Sequence, residues 1–193
     1  MIISNKHKVM LLSPPKTGTR ARIKYYQDIN DVFTMHVKIS DLDKLCEREE
    51  LLSKEDYFKY AFVRNPWRRI ASLHNMGFQI KPNTIEEQRE ADFNEWMHSK
   101  YFQKVIPMAD FVLDHENNIA VDKIFKVEKW EENINELNLR FGYIPKHDIS
   151  HTPKYNYQNT YFEYYKNNQK LIDLVLNKES NILKIVSYEF SVS

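Results

Sequence analysis

VMLLSPPKTGTR, residues 9–20, sets a short continuous apolar run directly against a loop with one lysine, two threonines and a glycine. Four apolar residues in a row, without alternation, are the pattern of a strand buried on both faces of a parallel sheet. Gly18 is one of only three glycines in the 193-residue chain, which makes its place here informative. In an α/β fold, ligands sit beyond the carboxyl ends of the parallel strands. There the open N–H groups and positive end of the following helix favour an anion. Gly18 lets the backbone approach such an anion, Lys16 brings a point charge, and Thr17 and Thr19 bring hydroxyls. A triphosphate loop reads G-x-x-x-x-G-K-[ST], with lysine after the second glycine. Here lysine precedes the loop's only glycine, an order that argues against an ordinary ATPase or GTPase.

The chain around this loop has the size and composition of one folded domain, residues 1–193. Its apolar fraction of 42% and aromatic fraction of 13% exclude a disordered chain. A net charge of only +1 gives no general attraction to nucleic acid or to an anionic membrane. Charge is concentrated locally instead, in Lys16, Arg20, Arg22 and Lys24, and again in Arg64, Arg68 and Arg69. The single cysteine, Cys46, excludes an intramolecular disulfide and fits a reducing compartment. The first twelve residues lack the form of a signal peptide, and no run approaches the ~20 apolar residues of a membrane span. A cytoplasmic protein with no membrane partner is expected. The oligomeric state is not legible.

A second apolar run, YAFV at 60–63, and a β-branched and aromatic run, VFTMHV at 32–37, read as two more strands. Residues 17–28 and 40–52 between them read as helices, the second with Ser40 and Asp43 at its start. Asn65-Pro66 is a helix cap followed by proline at the first helical position. That helix is expected to run to about Met76, with Gly77 to end it. Thr84 and Glu87 form a capping box for a further helix. IAVDKIFKV (119–127) reads as a strand, and WEENINELNLRFG (130–142) as a helix closed by Gly142. The C-terminal third from Tyr161 reads as helical. Strands alternating with helices predict a three-layer α/β/α sandwich with a small parallel sheet and a P-loop-like phosphate-binding loop.

FVRNPWRRIASLH, residues 62–74, begins at a strand's carboxyl end and continues into a helix. Arg64 therefore reaches the same edge as the first loop if the two strands are neighbours. Together, PKTGT and this second stretch resemble the paired nucleotide signatures of sulfotransferases that use 3′-phosphoadenosine 5′-phosphosulfate (PAPS). The resemblance covers most of the chain and is closest to the carbohydrate, Golgi-type branch. It implies that Pro15, Lys16, Thr17, Gly18, Thr19 and Arg20 wrap the 5′-phosphosulfate, Arg20 standing where the family often has a second hydroxyl. It also implies that Arg64 and Ser72 hold the 3′-phosphate. In the polar loop HTPKYNYQNTYFEYY, Lys154 can touch nucleotide or an acidic acceptor. Implied with it are PAPS as donor, a hydroxyl acceptor on a glycan or small metabolite, and no metal.

Sulfuryl transfer to a hydroxyl needs an in-line acceptor, a base for its proton and stabilisation of the leaving oxygen. Lys16 can serve the last need. His36, in FTMHVKISDL, resembles the histidine of the G-H-V segment in uronyl 2-O-sulfotransferases, where it is the proposed base. His74, inside the helix after Ser72, is the rival. His147 and His151 suggest zinc, but no third ligand accompanies them. Two alternatives stay open: a small-molecule kinase using ATP, and a nucleotide-binding protein without catalysis.

Overall fold

Ile2–Ser4, three residues too short to show any periodicity, form β1. It pairs antiparallel with β2, Val9–Leu12, as one arm of a hairpin, with Ile2 opposite Leu11. On its other side β1 pairs antiparallel with β3, Val32–Phe33. β4, Phe58–Val63, runs parallel to β2 with Leu12 opposite Ala61, and β5, Lys123–Lys126, runs parallel to β4. The five-stranded sheet has the order β3-β1-β2-β4-β5. This is an α/β fold whose sheet is parallel from β2 to β5 and antiparallel about β1, an edge the sequence reading did not include. Two antiparallel pairings in succession point β3 the same way as β2. The carboxyl ends of β2, β3 and β4 therefore lie at one edge.

The structure is a computed structural model describing residues 1–29, 31–34, 36–76, 93–144, 161–165 and 168–190. Gly77, Thr84, Glu87, His147, His151 and Lys154 lie outside the described residues. By its contacts the chain divides into two compact units, Met1–Arg64 with Met108–Thr152, and Asn65–Pro107 with Pro153–Ser193.

The first unit holds the sheet. Val9 and Leu11 of β2, and Tyr60 and Phe62 of β4, pack with α1 (Thr19–Tyr25) and α6 (Trp130–Phe141) in one core. The alternate residues Met10, Leu12, Ala61 and Val63 are also fully buried, so both sheet faces are covered, as the unbroken apolar runs require. The helix at 42–48, α2, is preceded by a 3₁₀ turn at Ile39–Asp41 and ends before the expected Leu52. α6 closes as the sequence predicts: Gly142 takes the left-handed conformation, φ 60°. The third strand is shorter than the expected 32–37, ending at Phe33, and His36 beyond it has a left-handed backbone, φ 37°.

The second unit is helical. In α3, Pro66–Asn75, the Asn65 side chain accepts from the Arg68 N–H and proline takes the first turn, as the sequence predicts. The other helices are α4 (Phe93–His98), α5 (Lys100–Gln103), α7 (Gln169–Lys178) and α8 (Ser180–Leu183), with a 3₁₀ turn at Tyr161–Tyr164. Trp67, Ile70, Phe93, Trp96, Tyr165 and Val175 anchor their common core. Among the described residues no helix is long and apolar enough to cross a membrane.

Arg69 and Glu179 lie in this core, both side chains wholly buried, with Nη1 donating to Oε1 at 2.5 Å. The other arm of the guanidinium donates to the Ile106 carbonyl at 2.7 Å. Removing one partner of a buried pair strands the other charge, at a cost of about 3–5 kcal/mol. Glu179→Ala is therefore expected to lower unfolding free energy by that amount in urea titrations, whereas Arg69→Met with Glu179→Leu should recover most of it. Equal losses in the single and double variants would show that the cost does not come from stranding the Arg69 charge.

Candidate active site

β2 ends at Leu12, and the chain turns through Ser13 to Gly18 before α1 begins. Two residues of this loop have left-handed backbones, Lys16 at φ 72° and Gly18 at φ 80°, with Thr17 between them outside that region. In turns that mix left-handed and right-handed residues, successive N–H groups can converge into an anion-binding concavity. Glycine adopts this conformation without strain; lysine does not. The Thr17 hydroxyl is buried and donates to the Pro14 carbonyl at 2.8 Å. Its side chain therefore fastens the loop, leaving its backbone N–H as its contribution to a ligand. Thr19 differs: its Oγ1 is buried and makes no hydrogen bond. A buried hydroxyl without a partner is costly, and an oxygen-rich anion would satisfy it.

Beneath the loop lies Arg22, fully buried. Its Nη1 donates to the Thr17 carbonyl at 2.6 Å and its Nη2 to Ser13 Oγ at 2.8 Å, with a longer contact to Thr17 Oγ1 at 3.3 Å. The guanidinium stacks on the Phe62 ring, 3.7 Å from its centroid. Burial pulls its pKa down to about 9, so it is still cationic at neutral pH. The basic run at 16–24 is thus divided: Arg20 and Lys24 are exposed, while Arg22 is internal.

Arg64, one residue beyond β4, donates from Nη1 to the Lys16 carbonyl at 3.1 Å. The parallel register of β2 and β4 brings Arg64 to the first loop, as the sequence reading requires. Lys16 is half-buried, and burial, followed by the charges of Arg64 and Arg20, pulls its ammonium down to about 8. Repulsion among three cations raises the gain from admitting an anion.

His36 reaches the same loop from β3. Its Nδ1 lies 2.8 Å from the Ser13 carbonyl. A carbonyl only accepts, so Nδ1 carries the hydrogen and Nε2 is the basic nitrogen. Ser13 is the residue that sequence reading missed: its carbonyl holds His36 and its hydroxyl holds Arg22. Its only signal was its position at the end of β2.

The second signature is divided between the two units. Ser72 is half-buried on α3. Arg68 lies over the Tyr161 ring, its guanidinium carbon 4.9 Å from the centroid, and Arg69 is consumed by Glu179. His74 is buried, with Phe93, Trp96 and Tyr164 packed edge-on around it. That makes it a core residue of the second unit.

The loop, its three cations and the tethered imidazole suit transfer of an anionic group to an acceptor that must lose a proton. Comparison with protein families matches residues 1–187 to one described as Sulfotransferase family. No curated protein and no solved structure matches the chain. With nearly its whole length matched, the chain belongs to the sulfotransferase family.

Proposed function

We propose that this chain transfers the sulfuryl group of PAPS to a hydroxyl on a glycan or small metabolite. The observation that carries the reading is the bond from His36 Nδ1–H to the Ser13 carbonyl, which tethers a base to the anion loop. The loop's donor set fits the nucleotide. Thr19 Oγ1 is a buried donor in need of an acceptor, and Lys16, Arg20 and Arg64 supply positive charge.

The donor, when bound, supplies an activated sulfuryl group and leaves as adenosine 3′,5′-bisphosphate. Pro15, Lys16, Thr17, Gly18, Thr19 and Arg20 are assigned to its 5′ end. Arg64 is assigned to the 3′-phosphate, the role that the motif resemblance gives it, and Ser72 carries the same assignment. Lys154 keeps its assignment to nucleotide or acceptor. Lys16 places a cation where negative charge develops on the leaving oxygen. His36 Nε2 accepts the proton of the acceptor hydroxyl, while the Ser13 carbonyl holds Nδ1–H and stabilises the imidazolium that forms.

A ligand that binds only the native state stabilises it by RT ln(1 + [L]/Kd), ~2.7 kcal/mol at a hundredfold excess over Kd. Adenosine 3′,5′-bisphosphate without magnesium should raise the melting temperature more than AMP or magnesium-ATP. A larger shift with magnesium-ATP would favour a kinase instead.

The Lys16 ammonium gives a pH signature. In the ligand-free protein its charged form prevails below about 8, is half lost at that value and disappears as pH rises further. Affinity for the bisphosphate should therefore hold from pH 6 to 7.5. Above pH 8 it should fall, by up to about tenfold per unit. Lys16→Arg, which keeps its charge, should flatten the profile; an unchanged slope would assign the titration elsewhere.

His36→Ala should leave bisphosphate affinity nearly intact and reduce turnover by roughly 10²–10⁴-fold. Turnover is followed with radiolabelled PAPS and the acceptor that a screen of hydroxyl compounds identifies. Near-wild-type turnover in a folded variant would remove His36 from the chemistry.

A further inference from the structure

We propose that Arg22 is a positioning residue whose buried charge acts through the loop backbone on the anion held above it. The inference rests on the function proposed above only for the identity of that anion.

Every hydrogen bond that Arg22 makes goes to a neutral oxygen of the loop: the Thr17 carbonyl, Ser13 Oγ and Thr17 Oγ1. Its flat face lies on Phe62, with Trp130 further off, and its Nε is buried without a partner. Among the described residues no carboxylate pairs with it. The contrast with Arg69 is direct, since that equally buried guanidinium meets Glu179. A strut needs donors but no charge, and an uncompensated charge in an apolar setting is expensive. A neutral donor would make similar bonds without that cost.

Position supplies a reason for the charge. A Cβ built at Gly18 would lie 3.5 Å from Arg22 Nη1. The guanidinium therefore packs directly against the Gly18 backbone of the loop. A cation buried directly behind the loop backbone is weakly screened by salt and attracts an anion held on that loop. Lys16, Arg20 and Arg64 are the outer cations, and Arg22 is the inner one. Its second effect is geometric, because the same fork fixes Ser13, on whose carbonyl His36 rests.

The test compares Arg22→Lys, which keeps the charge, with Arg22→Gln, which keeps donors and loses it. Affinities are measured by calorimetry for adenosine 3′,5′-bisphosphate, adenosine 3′-monophosphate and inorganic phosphate, with circular dichroism as the check on folding. Arg22→Gln is expected to weaken the bisphosphate and inorganic phosphate by roughly 10- to 50-fold, the scale of one such charge interaction. Arg22→Lys should stay within about threefold of wild type, and the 3′-monophosphate, which puts no phosphate in the loop, should change little in either. Equal losses in the two variants, or equal losses for all three ligands, would reduce Arg22 to a structural strut and overturn the proposal. If Arg22→Gln does not fold, Arg22→Lys decides alone: loss beyond tenfold overturns the charge role, and retention supports it. A wild type that prefers magnesium-ATP to the bisphosphate sinks the PAPS reading. The lysine–glutamine difference, measured with inorganic phosphate, still decides the role of Arg22. Failure of the wild type to bind any of these anions would overturn both.

Discussion

The fork from Arg22 to Ser13 and Thr17 holds the rest of the site in place. Without it the loop, with its left-handed backbone at residue 16, would lose the buried side chain that ties Ser13 to Thr17. Through it, one buried side chain fixes Ser13 and Thr17 of the loop against Phe62 of β4. Arg22 is itself held by α1, which the Tyr26 hydroxyl ties to the Asn138 side chain at 3.1 Å. The Asn138 amide donates in turn to the Tyr25 hydroxyl at 2.7 Å, and the Tyr143 hydroxyl donates to the Tyr25 carbonyl. Burial raises the Tyr26 pKa well above the ordinary tyrosine range, so its hydroxyl remains a donor at any pH the fold survives. The precision of the loop thus comes from an aromatic and amide cluster on the sheet's helical face.

The arginines of this chain show how burial and partner together decide what a charge does. Arg69 is buried with a carboxylate and organises a helical core. Arg22 is buried with neutral oxygens and organises a loop. Arg64 is half-buried against the Lys16 carbonyl, and after burial itself its charge does most to destabilise the Lys16 ammonium. Arg20 is exposed, adding to the local potential. All four look alike in a count of positive residues.

That difference explains what was legible in the sequence. The strands at 9–12 and 60–63 could be read because an unbroken apolar run has few other uses. The start of α3 could be read because Asn-Pro sets a cap and a φ angle together, and the end of α6 because glycine tolerates φ > 0. β1 could not, since three apolar residues before a polar stretch fit many structures. The length of β3 was overstated because a β-branched and aromatic pattern does not record where pairing stops, here after Phe33. The inward arginines were read as part of basic clusters because helical spacing does not record a partner. Glu179 stands 110 positions from Arg69. Ser13 was missed for a related reason, since half of its role is carried by a backbone carbonyl, which every residue has.

The hairpin of β1 and β2 also has a kinetic meaning. Its arms are joined by four residues, Asn5 to Lys8, so it can close with little loss of chain entropy. The parallel pairings of β2 with β4 and of β4 with β5 must each draw together segments distant along the chain, and parallel strands cannot be joined by a tight turn. The local hairpin is therefore the natural early scaffold, with the non-local pairings added to it. The Arg64 contact with the Lys16 carbonyl belongs to the second stage, because it needs β4 alongside β2. A nascent chain that has made only the hairpin carries the 13–18 loop in sequence but not yet in shape.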